Sequence, residues 1–282
     1  MRIPRWVLLT FFFAIQSATA QHSPMGTTDT THAWQVGLSV GVGRIANLDG
    51  VGSPLVYSGF QMPLGLDVEF ATTNARHRIS GNAVFSGYTA QPLFTPLSTT
   101  DMPRKAYYGY WFAQYEYLHS TAGGEPPPDP DRIQFGLGGA WRTELFYRNY
   151  SYQGYPKGAL GGAYSFEGTT SLELEGCVWK QMTNMGTLGA TLAIPIVGLL
   201  RRPPYGYYAL GDGTLFGTSG ETTLVYFGKM FGWQLSVDWR YDILEHMTLG
   251  ARFTNEEYRY QRDIWTTNTS VNSLEGLVAW RF

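Results

Sequence analysis

The chain closes on Leu274-Glu275-Gly276-Leu277-Val278-Ala279-Trp280-Arg281-Phe282. Read with a period of two, Leu274, Gly276, Val278, Trp280 and Phe282 share one face, and the charged Glu275 and Arg281 fall on the other. This is a strand that ends on an aromatic residue of its apolar face. A water-soluble sheet hides such a face in a core, whereas a membrane barrel turns it to lipid.

The same alternation runs back along the chain. From Phe60 to Phe70, Phe60, Met62, Leu64, Leu66, Val68 and Phe70 face one way, and Gln61, Gly65, Asp67 and Glu69 the other. Comparable faces recur as Trp34, Val36, Leu38, Val40 and Val42, as Ile133, Phe135, Leu137, Trp141 and Leu145, and as Leu172, Leu174 and Val178. Leu188, Leu192, Ile194 and Ile196, then Leu235, Val237, Trp239 and Tyr241, then Leu249, Ala251 and Phe253 complete the series. Segments at 78–88 and 106–118 are less regular but rich in Tyr and Trp. Each is long enough for the roughly 9–11 residues that a tilted membrane strand needs.

Phe282, with alternate apolar positions before it, resembles the C-terminal signal of Gram-negative outer-membrane barrels. That resemblance implies an all-β fold, a transmembrane antiparallel up-and-down β-barrel. It also implies that Trp280 and Phe282 serve as an assembly signal for the barrel-assembly machinery.

The start of the chain agrees. Arg2 and Arg5 precede an apolar run from Trp6 to Ile15, and Ala18-Thr19-Ala20 has the A-x-A form of a cleavage site. Residues 1–20 therefore read as a signal peptide, 21–32 as a flexible segment and 33–282 as the barrel. Beyond the leader no stretch approaches the roughly 20 apolar residues of a membrane helix.

Composition fits a sheet. There are 34 Gly, 19 Tyr, 16 Phe and 9 Trp, with only 15% charged residues, a profile rich in strand formers. Without Arg2 and Arg5 the 20 basic residues become 18 against 22 acidic ones. This mildly acidic balance argues against a nucleic-acid partner. The single Cys177 has no partner for an internal disulfide and reads as a small residue in a crowded wall.

Ten strands are expected, with twelve as the alternative if a hairpin lies within Glu221 to Phe231. Strand polarity then puts periplasmic turns at 72–76, 119–131, 181–186 and 244–246, and outer connections at 44–57, 89–104, 147–164, 201–222 and 261–270. All but the Pro-rich inner segment 119–131 fit the usual pattern of short inner turns and longer outer loops.

Opposite the lipid face fall Asp67, Glu69, Arg78, Glu116, Arg132, Arg142, Glu144, Glu173, Glu175, Asp238, Arg240, Asp242, Arg252, Glu275 and Arg281. Ten strands enclose little more than their own side chains. These charges are expected to pair into a plugged polar lumen. The outer loops carry Tyr147, Tyr150, Tyr152, Tyr205, Tyr207 and Tyr208 beside Arg201 and Arg202. Lipopolysaccharide phosphates, outer-membrane lipid and a glycan or surface partner are the expected contacts.

Enzymes of that membrane use a histidine-containing site in the outer half of the barrel. Here His22, His32, His77, His119 and His246 all fall at the inner side or before the first strand. No triad, phosphate loop or metal-ligand spacing stands out, so neither cofactor nor enzymatic activity is expected. The expected role is structural or adhesive. A narrow channel for small solutes or ions and a lipid-modifying hydrolase are the alternatives.

Overall fold

A computed structural model of the chain describes residues 33–49, 55–72, 75–92, 103–120, 133–152, 163–182, 185–202, 221–262 and 265–282. The leader, the segment 21–32, Arg132, Tyr205, Tyr207 and Tyr208 lie outside them. The strands are β1 (Ala33–Asp49), β2 (Leu55–Ala71), β3 (Ala75–Pro92), β4 (Pro103–Ser120), β5 (Ile133–Tyr152) and β6 (Ala163–Met182). They continue as β7 (Gly186–Arg202), β8 (Glu221–Tyr226), β9 (Met230–Leu244), β10 (Met247–Arg262) and β11 (Trp265–Arg281).

Each strand pairs antiparallel with its neighbours, and β11 returns to β1 in unbroken register from Gln35 opposite Arg281 to Asp49 opposite Thr267. The sheet therefore closes into a ring and has no free edge along that seam. Closure is completed past the last paired residue, where the Phe282 amide donates to the Trp34 carbonyl at 2.9 Å.

Eleven strands fill ten places. β8 lies against the outer half of β7, with Val197 opposite Tyr226, and β9 against its inner half, with Ala193 opposite Gln234. Both run antiparallel to β7, so they are collinear pieces of one wall strand and not the hairpin that a count of twelve requires. The break spans Phe227–Lys229. Gly228 turns it at φ +109°, a conformation that L side chains rarely adopt. Facing it, β7 bulges at Ile196, where pairing with β6 jumps from Val197 to Pro195. Pro195 has no N–H for the ladder, and a bulge is where a strand tolerates that loss.

The wall is taller than the sequence suggests. β1 has 17 residues; at ~3.3 Å each and a tilt of ~40° it climbs roughly 40 Å, against a hydrocarbon core of ~30 Å. The expected connections shrink accordingly. β1 and β2 reach Asp49 and Leu55, β10 and β11 leave only 263–264 between them, and β4 carries His119 to its end at Ser120. The expectation that every outer connection outlasts the short inner turns thus fails at 263–264. Tyr- and Asn-rich segments continue the ladder beyond the lipid, since water tolerates them on an outward face.

The radial arrangement inverts that of a soluble protein. Leu64 is 55% exposed and Phe60 60% exposed, whereas Arg142 is 0% and Glu175 1% exposed. An outward belt of Leu, Val, Ile and Phe surrounds buried Asp, Glu, Arg, Ser and Thr. At the end carrying the termini the belt turns aromatic. Trp34 packs on Phe70 with ring centroids 4.7 Å apart, His77 shares a 2.9 Å hydrogen bond with Tyr115, and the Trp239 indole donates to the Met185 carbonyl at 2.8 Å. Rings with one polar edge suit the level where hydrocarbon meets headgroups.

Candidate functional site

Inward positions along β9 and β10 set the levels of the lumen. On β9 they are Asp242, Arg240, Asp238, Ser236 and Gln234, counted away from the β9–β10 turn; on β10 they are Thr248, Arg252, Thr254, Glu256, Tyr258 and Tyr260. Period-two geometry delivers each pair of side chains to one level, so the lumen is built in tiers.

At the terminal mouth Arg281 reaches Asp242 at 3.3 Å, and Thr248 donates to the same carboxylate at 2.5 Å. One tier in, Arg240 on β9 crosses to Glu69 on β2 at 3.0 Å. Next comes a five-residue chain. Asp238 takes the Arg252 Nε at 2.7 Å, Arg252 reaches Asp67 at 3.2 Å, Asp67 takes Arg78 at 2.7 Å, and Arg78 lies 3.7 Å from Glu116. This chain ties β9 and β10 to β2, β3 and β4 across the lumen. Two guanidiniums alternate with three carboxylates, so each buried charge faces its opposite.

Above it Arg142 spans the barrel from β5. Its Nε lies 2.6 Å from Glu144 and its Nη2 2.9 Å from Glu256 on β10; Nη1 donates to Gln234 on β9 at 2.6 Å, and Nη2 also donates to the Tyr110 hydroxyl. Phe112 and Tyr258 flank the guanidinium, 4.6 and 5.4 Å from Cζ. The planar fork thus has carboxylate, amide and phenol acceptors around its edge and aromatic rings beside it, the surroundings that suit a buried arginine. A void of about 50 Å³ remains between this tier and the ion-pair chain.

Toward the outer end the filling becomes apolar. Leu200, Val225, Met230, Tyr258 and Tyr260 form a buried cluster, Phe146 stacks on Tyr110 at 4.6 Å, and the Tyr260 hydroxyl meets Thr169 on β6 at 3.4 Å. A continuous water path would have to pass both the Arg142 tier and this aromatic layer.

No family model and no curated protein matches the chain. Solved structures do. The outer membrane protease OmpT of Escherichia coli superposes with a TM-score of 0.56 at 8% identity, over 92% of this chain and 99% of that one. The translocator domain of the autotransporter NalP from Neisseria meningitidis also aligns, with a TM-score of 0.46 at 10% identity over 99% and 96%. A closed antiparallel ring with a lipophilic exterior and a charged interior has one medium to sit in. The chain is an outer-membrane β-barrel. At such identities the likeness to OmpT concerns the fold of the barrel and nothing of its chemistry.

Within the barrel, the sequence-expected lumen residues Asp67, Glu69, Arg78, Glu116, Arg142, Glu144, Asp238, Arg240, Asp242, Arg252 and Arg281 meet in the ion pairs above. Glu275 accepts from Ser39 at 2.8 Å and Ser273 at 3.1 Å, Glu173 from Ser171 at 3.1 Å, and Glu175 from Gln114 at 3.1 Å. Glu173 and Glu175 each keep one buried oxygen with no hydrogen-bond partner. Of the rim residues, Tyr147, Tyr150 and Tyr152 lie on β5, and Arg201 and Arg202 end β7. These five belong to the wall, not to loops. Tyr110, Gln234, Glu256 and Tyr258 escaped sequence reading. Alternation of Glu256, Tyr258 and Tyr260 with Glu257 and Arg259 was the signal that would have placed three inward-facing groups on β10.

Proposed function

We propose that the barrel is a sealed, non-conducting platform of the outer membrane, with a structural or surface-binding role carried by its outer end. The observation that supports this is the Arg142 tier. A fully buried guanidinium bridges β5 to β9 and β10 and is covered by an aromatic layer, so ions and solutes lack a wide route through the lumen. Function then falls to the outer rim, where Arg201, Arg202 and the tyrosines would meet lipopolysaccharide phosphates and a glycan or surface partner.

Two measurements test this. Purified barrel in planar bilayers should give no discrete conductance steps; regular steps would restore the channel reading. Replacing Tyr205, Tyr207 and Tyr208 together with alanine should abolish binding of the cells to immobilised surface glycans, and undiminished binding would remove the tyrosines from the role. A lipid-modifying hydrolase is less well supported. Among the described residues the histidines are His77, His119 and His246, all at the terminal end, far along the wall from the lipopolysaccharide leaflet where such an enzyme would need its base.

A further inference from the structure

Beside the ion-pair tiers nearest the terminal end the lumen opens into a vestibule of about 560 Å³, within the range of small-molecule sites. Its walls include Gln35, Arg76, Leu118, Cys177, Trp179 and Thr191. The acids that line it are already matched: Glu69 by Arg240 at 3.0 Å, Asp238 by Arg252 at 2.7 Å and Asp242 by Arg281 at 3.3 Å. Arg76 is different. It lies two residues from the inward Arg78 on β3, lines the same space, and makes no ion pair within 4 Å among the described residues, its charge reaching Glu69 and Glu175 without contact. The Gln35 side chain adds a second unused group, because its Oε1 takes an Arg240 N–H at 3.4 Å while its buried Nε2 finds no acceptor.

Both groups are donors with no acceptor in contact, so what each lacks is an acceptor. We infer that the vestibule binds a small anionic solute from the periplasm, with Arg76 and Gln35 taking its carboxylate or phosphate and Trp179 covering its body. A guanidinium with a planar fork suits either oxyanion. The charge that opposes this assignment is Glu175, two residues from Cys177 on β6, which is not ion-paired but does not line the vestibule. The inference stands apart from the sealed-platform reading, since a blind pocket and an open pore can both present such a mouth.

Cys177 is the only cysteine of the chain and lines the vestibule, so the full-length folded barrel reports on the field there. Its labelling rates with anionic methanethiosulfonate-ethylsulfonate and cationic methanethiosulfonate-ethyltrimethylammonium would be measured in neutral detergent, each normalised to free 2-mercaptoethanol. The anionic reagent should be faster by about threefold or more. R76Q should erase that preference and R76K retain it, which separates charge from damage to the wall. Glucose 6-phosphate or glucuronate at about 10 mM, enough to reveal millimolar affinity, should slow labelling of the wild type and not of R76Q; comparing the two tells phosphate from carboxylate. Glucose should not protect. A faster cationic reagent, no protection by either anion, or a Cys177 that neither reagent reaches would each overturn the site.

Discussion

The backbone N–H of Phe282 donates to the carbonyl of Trp34 at 2.9 Å, so the last residue of the chain is bonded to the first strand. The Phe282 side chain is 80% exposed and packs little. Its removal should therefore cost the finished barrel only about 1 kcal/mol, the worth of one net hydrogen bond. Assembly in cells should suffer far more if the terminal aromatic is what the barrel-assembly machinery engages. Comparing heat-modifiable barrel from outer membranes with barrel refolded in detergent separates the two effects; equal losses in both would deny Phe282 a signalling role.

Arg142 should dominate stability inside the lumen. Arg142→Met leaves Glu144 and Glu256 buried without their shared cation, a change expected to cost about 3–5 kcal/mol. Adding Glu144→Gln and Glu256→Gln to that variant should recover most of the loss. Urea unfolding in liposomes, followed by tryptophan fluorescence, reads both variants.

The outward belt makes an opposite prediction. Leu64 faces lipid on β2, and Leu64→Arg should destabilise the barrel by about 2–4 kcal/mol if the position lies near the bilayer midplane. Leu64→Phe should be close to neutral. A tolerated arginine in the same unfolding assay would mean that this level of the wall stands clear of hydrocarbon.

Glycines in the wall should divide by mechanism. A Cβ at Gly138 would collide with the Tyr117 carbonyl of the neighbouring strand, while Gly228 has open space around it and only its φ of +109° to protect. Gly138→Val should block folding. Gly228→Ala should cost only about 1–2 kcal/mol of backbone strain, and folded yield by gel mobility ranks them.

Among the described residues seven glutamates are buried, Glu116, Glu144, Glu167, Glu173, Glu175, Glu256 and Glu275, and they crowd the lumen. Glu175→Gln replaces the unpartnered buried oxygen of Glu175 while keeping an acceptor for Gln114, so it should leave stability unchanged or raise it by up to about 1 kcal/mol. A destabilised variant would show that the charge has a partner in the folded membrane protein.

The lipid face was legible residue by residue, because a bilayer demands the same thing of every strand and the demand has a period of two. Val40, Leu64, Leu137, Leu174 and Phe253 all point where alternation put them. The outer half of β7 was not legible. The bulge at Ile196 takes up one residue and reverses the faces beyond it, so Leu200 points inward where unbroken alternation would aim it at lipid. The height of the wall was hidden for a different reason. Above the hydrocarbon a strand may face water, and polar residues there mimic a loop. The lumen charges could be named from alternation alone, but their partners could not, since Arg142 and Glu256 are 114 positions apart and only closure of the ring brings them together.

The bulge at Ile196 also constrains how this chain can change over time. Deleting that one residue would straighten the ladder and leave Leu200 inward and Leu199 outward, whereas deleting a neighbour while the bulge persisted would exchange the two environments through the rest of the strand. Insertions and deletions in the wall are therefore tolerated in pairs, or singly where a compensating kink already exists. Descendants of this gene should differ in length mainly at the rims, and their alignments should slip by odd steps only beside Pro195.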